Sequence, residues 1–407
     1  MSDHPEMLRA DILRFDRQKV DLGGAEVSPP IAPATGAFAS GASDVVPERA
    51  VDPRDRGGPQ QPMLIVENLK KHFPIKKGVL GRTVGAVQAV DGVSFSIKKG
   101  EVLGVVGESG CGKSTLARLL MRMMTPDAGS MILDGDPVDE HSGISIDQLH
   151  RDVQMVFQDS YSSLNPRMPI VDTIAFTPLI NGLSSKQAIE RARTLLGQVG
   201  LAPNLFAKRY PHELSGGQRQ RVNIARALAV EPRLVILDEP VSALDKSVEA
   251  QVLNLLVALQ DLHNLTYIFI SHDLNVVRFI SDRVAVMYLG RIVETGSVDD
   301  IYDNPRHPYT QALLASSPSI DPRRRTKKAP LTGDPPNPIN PPSGCRFRTR
   351  CPFSEAVCEM ASPDAVAVAD GHEHSVSCHM ANPESGHSRS TVDPAGRVDI
   401  VLLEETT

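Results

Sequence analysis

The sequence predicts an α/β fold in which helices cover both faces of a largely parallel sheet. Three apolar runs of strand length, Val102–Val106, Leu234–Leu237 and Tyr267–Ile270, are each followed by a segment with a helical pattern. Strands that alternate with helices in this way form parallel sheets, and strands buried on both faces are continuously apolar. A chain of 407 residues has room for two domains, or for one large domain with appendages.

The N-terminal part of the chain divides into a tail and a first pair of strands. Residues 1–62 are rich in Pro, Ala, Gly and Ser, and we expect a mostly disordered tail with a possible short helix near Met7–Phe15. Strands are predicted at Leu64–Val66 and at Val93–Ile97, the second with a period of two. Between them, the basic and glycine-containing segment Lys76–Val84 is predicted to be a hairpin turn or a surface loop.

The later part of the chain contains a long helix and then a change of composition. Apolar residues recur with a helical period over Lys186–Gly200, which predicts an amphipathic helix. After about Pro318 the sequence becomes rich in Pro and Arg and then in Cys. We therefore predict a main domain over residues 63–320, a small irregular extension with four cysteines over 321–385, and a tail over 386–407.

Composition excludes several classes of function. The formal net charge is -6, so the chain lacks the basic field that holds nucleic acid phosphates. We expect no nucleic acid partner. No apolar run reaches the roughly 18 residues of a membrane helix, and no basic segment followed by an apolar run marks a secretory signal at the start of the sequence. We expect the protein to remain in the cytosol.

A glycine-rich turn follows the predicted strand Val102–Val106 and precedes a helix that is predicted to begin near Lys113. This is the setting of a phosphate-binding loop, in which backbone N–H groups and a helix N-terminus surround phosphates. Lys113 should reach the outer phosphates, and the Ser114 hydroxyl should ligate Mg²⁺. Cys111 is more simply a small filler residue. The predicted nucleotide-binding residues of this loop are Gly107, Ser109, Gly110, Cys111, Gly112, Lys113, Ser114 and Thr115.

Two adjacent carboxylates follow the buried run Leu234–Leu237. Asp238 can hold Mg²⁺ through water, and Glu239 can polarise an attacking water. Alternatively, the acids could only cap a helix, since Pro240 follows at a plausible first helical position. The phosphate-binding loop elsewhere in the chain favours the Mg²⁺ site.

Residues 214–218, Leu-Ser-Gly-Gly-Gln, resemble the signature of ABC ATPases. Outside that family, the same residues could be a polar helix start that Ser215 caps. Further motifs follow the order of the family: Gln158 resembles the Q-loop glutamine, Asp245 the end of the D-loop, and His272 the switch histidine. Phe73 resembles the aromatic residue that stacks on adenine. The resemblance covers roughly residues 63–320.

The resemblance implies a P-loop NTPase fold, an ABC nucleotide-binding domain with a RecA-like core, an antiparallel β subdomain and a helical signature subdomain. It implies ATP and Mg²⁺ as ligands, with Ser114, Gln158 and Asp238 around the metal. Glu239 would orient water, and His272 would hold the γ-phosphate. Two such subunits would sandwich two ATP molecules head to tail. The residues implied to act on the ATP of the partner are Ser215, Gly216 and Gly217, and Gln218 and Asp245 are implied to be further nucleotide-binding residues.

Three further segments resemble the dipeptide, oligopeptide and nickel importer branch of ABC ATPases. They are residues 158–167, residues 209–213 and residues 307–314. The opening stretch, from Leu69 to Gly112, is most similar to the second, F-type ATPase of these systems. The resemblance implies a heterodimer with a D-type ATPase, two membrane-spanning permease subunits and an extracytoplasmic peptide-binding protein. It also implies a peripheral location on the cytoplasmic face of the inner membrane, and an ATPase that powers peptide import.

Four cysteines cluster in the extension, with five, six and nineteen residues between successive members. Four thiolates suit either zinc or an iron–sulfur cluster, and these gaps match neither the close pairs of zinc sites nor ferredoxin runs. The segment resembles the C-terminal cluster of peptide-importer ATPases, which implies a [4Fe–4S] cluster; zinc and four unligated thiols remain alternatives. His372, His374 and His379 could substitute as ligands, although solvated histidines are the simpler interpretation. The predicted ligands are Cys345, Cys351, Cys358 and Cys378.

Two other classes of function compete with an importer subunit. Soluble ABC proteins of DNA repair or translation carry a long coiled-coil insert or two fused cassettes, whereas this chain has one cassette and no heptad run. A regulatory protein that binds ATP without hydrolysing it would lack Glu239 or His272, and both are present. The sequence therefore favours the importer ATPase.

Overall fold

The computed structural model describes residues 54–55, 57–58, 60–78, 82–139, 143–316, 336–368, 373–392 and 398–400. The predicted helix near Met7–Phe15, most of the predicted tail and His372 lie outside these residues. Within them, no helix combines the length and the apolar character that crossing a membrane requires.

The strands of the described residues are β1 (Leu64–Lys77), β2 (Arg82–Ile97), β3 (Val102–Val106), β4 (Ala128–Leu133), β5 (Asp136–Pro137), β6 (Val153–Val156), β7 (Leu234–Asp238), β8 (Thr266–Ile270), β9 (Arg283–Tyr288), β10 (Arg291–Ser297), β11 (Val366–Ala367), β12 (Ser375–Val376), β13 (Ser390–Val392) and β14 (Val398–Ile400). The helices are α1 (Lys113–Leu120), α2 (Ile146–Asp152), α3 (Ile170–Ile180), α4 (Ser185–Gln198), α5 (Pro203–Phe206), α6 (Gly216–Leu228), α7 (Lys246–His263), α8 (Leu274–Ile280), α9 (Val298–Asp303), α10 (Pro308–Ala315) and α11 (Ala356–Met360). Short 3₁₀ helices cover Pro211–Glu213, His379–Ala381 and Pro383–Ser385.

A large sheet forms the centre of the molecule, in the order β11-β12-β10-β9-β3-β8-β7-β6. The five strands from β9 to β6 are parallel, and β10 and β12 add antiparallel strands at the other side. The three apolar runs that predict the fold form β3, β7 and β8, whose residues are all buried. The predicted α/β fold with a largely parallel sheet is confirmed. Its central strands are continuously apolar because both faces of the sheet are covered.

The two faces of this sheet bury two different sets of residues. Tyr267 and Phe269 of β8 pack on one side, in the cluster that includes the buried faces of α3, α4, α6, α7 and α8. Ile268 and Ile270 of the same strand pack on the other side, with α1 and the antiparallel strands. This alternation along one strand places the helical layer and the antiparallel sheet on opposite faces.

The second sheet is antiparallel, in the order β2-β1-β4-β5. It contains both predicted strands as parts of longer ones, since β1 and β2 pair from Leu64↔Ile97 to Lys77↔Arg82. The predicted hairpin connection within Lys76–Val84 is confirmed, since β1 and β2 are antiparallel neighbours, but its bounds are too wide, because β1 extends to Lys77 and β2 begins at Arg82. The strand pairing continues through polar residues because each strand satisfies the backbone groups of the other, which the side-chain pattern alone does not reveal.

The helix predicted over Lys186–Gly200 is confirmed as α4, which begins one residue earlier and ends two residues earlier than predicted. Ser184 caps it in a reciprocal capping box with Gln187, and Gly200 follows with a left-handed φ of 74°. Its apolar face is buried among the helices α3 and α6. Together α3, α4 and α6 form the helical subdomain that the family resemblance implies.

The C-terminal extension, residues 321–385, contributes to the central sheet. Within it, β12 pairs with β10 through Glu294↔Val376 and Thr295↔Ser375, and β11 pairs with β12. The buried Glu294 carboxylate accepts from the backbone N–H groups of Arg306 (2.6 Å) and His307 (3.0 Å), and it lies 2.9 Å from His374 Nε2. The predicted boundary near residue 320 falls outside the described residues and stays a prediction.

Candidate active site

A cavity of about 570 Å³ lies at the carboxyl ends of the parallel strands. Segments that directly follow β3, β6, β7 and β8 all reach it, because the carboxyl ends of parallel strands meet at one edge of a sheet. Its lining contains most of the predicted nucleotide-binding and catalytic side chains. The lining residues are Phe73, Val87, Ala89, Ser109, Gly110, Gly112, Lys113, Ser114, Thr115, Gln158, Glu239, His272 and Pro338.

The phosphate-binding loop can take its shape only with glycine at its two ends. Gly107 has a φ of 155° and Gly112 a φ of 111°. A Cβ on Gly107 would lie 2.1 Å from the carbonyl oxygen of Met287, and one on Gly112 would lie 2.0 Å from that of Ala89. The loop therefore winds tightly against its neighbours and leads directly into the N-terminus of α1, where free N–H groups favour an anion.

Lys113 is the first residue of α1 and is buried. Its ammonium donates to the carbonyl oxygens of Gly107 (2.7 Å) and Glu108 (3.2 Å), so the side chain lies along the loop that it belongs to. Cys111 is buried beside it, with Sγ 3.9 Å from Nζ of Lys113, and burial raises the pKa of its thiol. The thiol does not line the cavity, in agreement with its interpretation as a filler residue.

Ser114 and Asp238 bring two hard oxygen donors together. The Ser114 hydroxyl donates to Oδ1 of Asp238 at 3.1 Å. Burial raises the pKa of Asp238, the hydrogen bond from Ser114 opposes that shift, and the neighbouring carboxylate of Glu239 adds to it. A buried carboxylate beside a hydroxyl and a second carboxylate is a donor set that fits Mg²⁺.

Glu239 is the centre of a polar network. Its Oε2 accepts from the Gln158 side-chain amide at 2.9 Å, and its Oε1 lies 3.2 Å from Nδ1 of His272. The residue has a left-handed φ of 48°, and its N–H donates to the carbonyl oxygen of Ile270 at 2.9 Å. No described helix begins at Pro240; the next helix is α7. The alternative that Asp238 and Glu239 only cap a helix is therefore wrong.

The signature residues lie elsewhere. Ser215 caps α6, where its hydroxyl accepts from the Gln218 N–H (3.3 Å) and the Gln218 side chain accepts from the Ser215 N–H (3.0 Å). Asp245 caps α7 by accepting from the Val248 N–H at 3.0 Å. The lining of the cavity includes neither these residues nor Gly216 and Gly217. Their assignment to a site shared with a second subunit stays a prediction.

The four cysteines of the extension line one small cavity, together with His379 and His387. All four are free thiols. Burial raises the pKa of Cys351 to about 11 and that of Cys378 to about 12. Among the described residues, no three His, Cys, Asp or Glu side chains are arranged as a metal-binding group, so the predicted iron–sulfur site is not confirmed.

The predicted substitute ligands in the extension have other partners. His374 lies 2.9 Å from the Glu294 carboxylate, and Nε2 of His379 lies 2.9 Å from the carbonyl oxygen of Ala361. These contacts occupy one ring nitrogen of each histidine. His379 nevertheless lines the cysteine cavity, as does His387, which no sequence motif marks.

The extension also contributes to the nucleotide cavity, which the sequence does not predict. Pro338 lines it, and the carbonyl oxygen of Pro338 accepts from the Gln88 N–H at 3.1 Å. Arg350 holds the carboxylate of Glu108, within the phosphate-binding loop, at 2.7 and 3.1 Å. No motif marks these residues, because Pro338 stands among other prolines and Arg350 among other arginines.

Two regions of the chain match known protein families. The family described as "ABC transporter" matches residues 90–242. The family described as "Oligopeptide/dipeptide transporter, C-terminal region" matches residues 293–358. The first match contains the phosphate-binding loop, Gln158, the signature and Glu239, and the second ends at Cys358.

Curated relatives match over nearly their whole length. The oligopeptide transport ATP-binding protein AppF of Bacillus subtilis (strain 168) is 50% identical over 329 residues, which cover 79% of this chain and 98% of AppF. The dipeptide transport ATP-binding protein DppF of Escherichia coli (strain K12) is 49% identical over 75% of this chain and 91% of DppF.

A solved structure gives the same fold. The ATP-binding cassette MJ0796, in a dimeric post-hydrolysis state bound to ADP and Pi, superposes with a TM-score of 0.51 and 29% identity. The match covers 58% of this chain and 99% of that structure. This chain therefore spans nearly the whole length of that cassette.

Proposed function

Since the chain belongs to the F-type ATP-binding subunits of ABC oligopeptide and dipeptide importers, we propose a role in ATP hydrolysis for each polar residue of its nucleotide cavity. The chain is an ATPase that powers peptide import. The observation that carries the residue assignments is the contact of Glu239 with both Gln158 and His272 in the cavity that the phosphate-binding loop lines.

The phosphate-binding loop holds the triphosphate of ATP. Backbone N–H groups between Gly107 and Thr115 point around the phosphates, and the N-terminus of α1 adds a partial positive charge. Lys113, whose ammonium lies against the loop at Gly107 and Glu108, would turn to the outer phosphates. Phe73, which also lines the cavity, stacks on the adenine.

Ser114 and Asp238 would hold Mg²⁺, and Gln158 would connect this site to the membrane subunits. When bound, Mg²⁺ neutralises negative charge on the phosphates. Glu239 orients the attacking water and accepts its proton, and His272 holds the water and the γ-phosphate in register. The contacts between Glu239, Gln158 and His272 support this assignment, because they keep the carboxylate in place before the reaction.

The signature segment acts on a second ATP molecule, which the phosphate-binding loop of a D-type partner subunit holds. In this chain Ser215 is exposed and the start of α6 is separate from the cavity. A helix N-terminus suits the γ-phosphate of a nucleotide that another subunit presents. The dimeric state of the MJ0796 cassette supports an assembly of two cassettes.

Two permease subunits receive the exposed apolar side chains of the helical subdomain. Phe176 is 53% and Ile180 is 68% exposed on α3, and Tyr161, three residues after Gln158, is 54% exposed. A contiguous exposed apolar patch marks a contact surface, and these side chains are our candidates for the one that the permeases cover. The permeases place the chain at the cytoplasmic face of the inner membrane, and an extracytoplasmic binding protein delivers the peptide.

The four cysteines of the extension would hold a [4Fe–4S] cluster, with zinc and four unligated thiols as the alternatives. The lining of one cavity by all four thiols supports a shared ligand. Thiols with raised pKa values are poor ligands until a metal ion displaces their protons. A bound cluster or zinc ion would stabilise the extension, because it would bind only the folded arrangement of the four cysteines. These cysteines do not line the nucleotide cavity, so we assign them no part in ATP hydrolysis.

The test is reconstitution of the assembled importer. The full chain, the D-type ATPase and the permeases, placed in lipid vesicles with the binding protein, should take up labelled dipeptide or oligopeptide only with ATP and Mg²⁺. A complex that carries Lys113→Ala is the control and should not transport. Uptake of a metal ion and of neither peptide class would contradict the peptide assignment.

The same complex, purified without oxygen, tests the cysteine site. We expect roughly four irons and four sulfides per chain, with a visible absorption band that bleaches on reduction. Stoichiometric zinc without iron or sulfide would favour the alternative, and neither metal would contradict a bound metal altogether. These outcomes leave the assignment of the ATP site unaffected.

A further inference from the structure

The phosphate-binding loop is held at Glu108 by two residues from the C-terminal third of the chain. We propose that Arg350 of the extension is a positioning residue for ATP binding, which fixes the first half of the loop through the Glu108 carboxylate. The proposal concerns neither the cargo nor the ligand of the cysteines. It rests only on nucleotide binding at the phosphate-binding loop.

The contact between Arg350 and Glu108 is bidentate. Nη1 and Nη2 of Arg350 donate to the two carboxylate oxygens at 2.7 and 3.1 Å. The side chain of Arg350 is 5% exposed and that of Glu108 is 22% exposed. A bidentate contact with so little solvent access fixes both the position and the orientation of the Glu108 carboxylate, whereas an exposed ion pair does not.

Glu108 transmits this position to the rest of the loop. Its N–H donates to the hydroxyl of Tyr309 at 2.9 Å. Its carbonyl oxygen accepts from the Cys111 N–H (3.2 Å) and from the Lys113 ammonium (3.2 Å). A shift of Glu108 would therefore move both the turn of the loop and the lysine that faces the phosphates.

The backbone around Arg350 is held in place by buried aromatic side chains. Its N–H donates to the carbonyl oxygen of Phe347 at 2.9 Å, and Phe347 is buried against the rings of Tyr288 and Tyr309, with centroids 5.4 and 5.5 Å away. The guanidinium also lies 6.0 Å from the centre of the Tyr288 ring. The extension thus presents Arg350 from a packed aromatic cluster and not from a free loop.

Electrostatics gives Arg350 a second effect on the loop. A carboxylate next to the phosphates of a nucleotide repels them unless a cation neutralises it. Glu108 belongs to the phosphate-binding loop although its side chain does not line the cavity, and Arg350, which does not line it either, supplies that cation from behind the loop. Its removal should therefore weaken nucleotide binding more than it slows the hydrolysis of bound ATP.

The test measures binding of ADP with Mg²⁺ to the full chain by calorimetry, and kcat and KM for ATP in the assembled importer. For Arg350→Ala we expect a dissociation constant for ADP about tenfold higher, as typical of a lost charge-assisted hydrogen bond. KM for ATP should rise by a similar factor, with kcat within about twofold of wild type. Arg350→Lys keeps the charge but cannot hold both oxygens, so its affinity should lie between the two.

The matched control is Arg348→Ala. Arg348 lies in the same segment, donates to the carbonyl oxygen of Ser343 (3.0 Å) and pairs with the exposed Glu359 (3.4 Å). This variant should bind ADP as the wild type does. In a Glu108→Gln background, Arg350→Ala should have little further effect, because coupled residues are not additive.

Three results would overturn the proposal. They are an unchanged affinity for ADP in Arg350→Ala, an equal loss in Arg348→Ala, or a full loss from Arg350→Ala when Glu108 is already Gln. If Arg350→Ala does not fold, Arg350→Lys decides, and a wild-type dissociation constant for it would reject the bidentate contact. Binding of ADP by the wild-type chain separately verifies the function of the loop.

Discussion

The phosphate-binding loop and the signature segment are both glycine-rich turns that lead into a helix, but their surroundings differ. The phosphate-binding loop contacts Asp238, Tyr309 and Arg350 of the same chain and lines the nucleotide cavity. The signature segment is capped by its own Ser215, in a reciprocal capping box with Gln218, and lines no part of that cavity. The same turn-and-helix motif thus occurs once in contact with other residues of the chain and once with an exposed Ser215. The comparison teaches that a glycine-rich turn before a helix does not by itself identify the nucleotide that it would contact.

The largest effect should come from Glu239, which we propose accepts the proton of the attacking water on the phosphate-binding side. Glu239→Gln should lower ATP hydrolysis by on the order of 10²–10⁴, because the amide cannot accept the proton of water. ATP binding should persist, since the loop, Ser114 and Asp238 are unchanged. The measurement is phosphate release by the assembled complex, with nucleotide binding determined in parallel.

A glutamate outside the cavity is the control for this substitution. Glu249→Gln removes a carboxylate on α7 that pairs with Lys246 at 3.0 Å, and it should leave hydrolysis unchanged. Near-normal hydrolysis by Glu239→Gln would reject the assignment and would remove one half of the comparison between the two loops.

The second effect tests the signature side. Ser215→Arg should slow hydrolysis roughly 10-fold to 100-fold at the site that contains the partner's phosphate-binding loop. The cause would be a bulky side chain where the γ-phosphate approaches α6. Mixed complexes, in which the partner's signature is also changed, allow each site to be measured separately. Loss of hydrolysis at the site built on this chain's own Lys113 would show that the head-to-tail arrangement is wrong.

The smallest effect is a difference in the free energy of unfolding between substitutions of the two signature glycines, Gly216 and Gly217. A Cβ on Gly217 would lie 2.3 Å from Cγ1 of Val248 on α7, whereas one on Gly216 would have Leu244 Cδ2 as its nearest neighbour, at 3.6 Å. Gly217→Ala should lower the free energy of unfolding by about 1–3 kcal/mol through overpacking. Gly216→Ala, the matched control, should change it by about 0.5 kcal/mol or less. Equal destabilisation in urea titrations would mean that α6 shifts as a whole.

The central fold could be predicted from sequence because its signals are local. The five apolar residues of β3 and the run before Asp238 indicate buried strands, and glycines at 107 and 112 indicate the loop between strand and helix. The family resemblance implied that Gln158, Glu239 and His272 act at one site, and the shared edge at the carboxyl ends of parallel strands explains why they meet there. These signals depend on residue type and spacing within short segments.

The contacts of the extension could not be predicted in the same way. Arg350 meets Glu108 across 242 positions of sequence, and neither residue type is unusual at its place. The pairing of β1 with β2 beyond Lys76 was missed for a related reason, because backbone hydrogen bonds leave no mark on the side-chain pattern. Contacts between residues far apart in sequence depend on how the helices and strands pack. No periodic pattern in a single sequence indicates that packing.

The two strands of the extension cover one edge of the central sheet. The N–H of Ser377 donates to the carbonyl oxygen of Val293 at 2.8 Å, and β12 covers the side of β10 that faces away from β9. Without this cover β10 would present unpaired N–H and C=O groups, which can pair with the edge of another molecule. A shortened ATPase that ends after α10 should therefore expose this side of β10 to pairing with a second molecule.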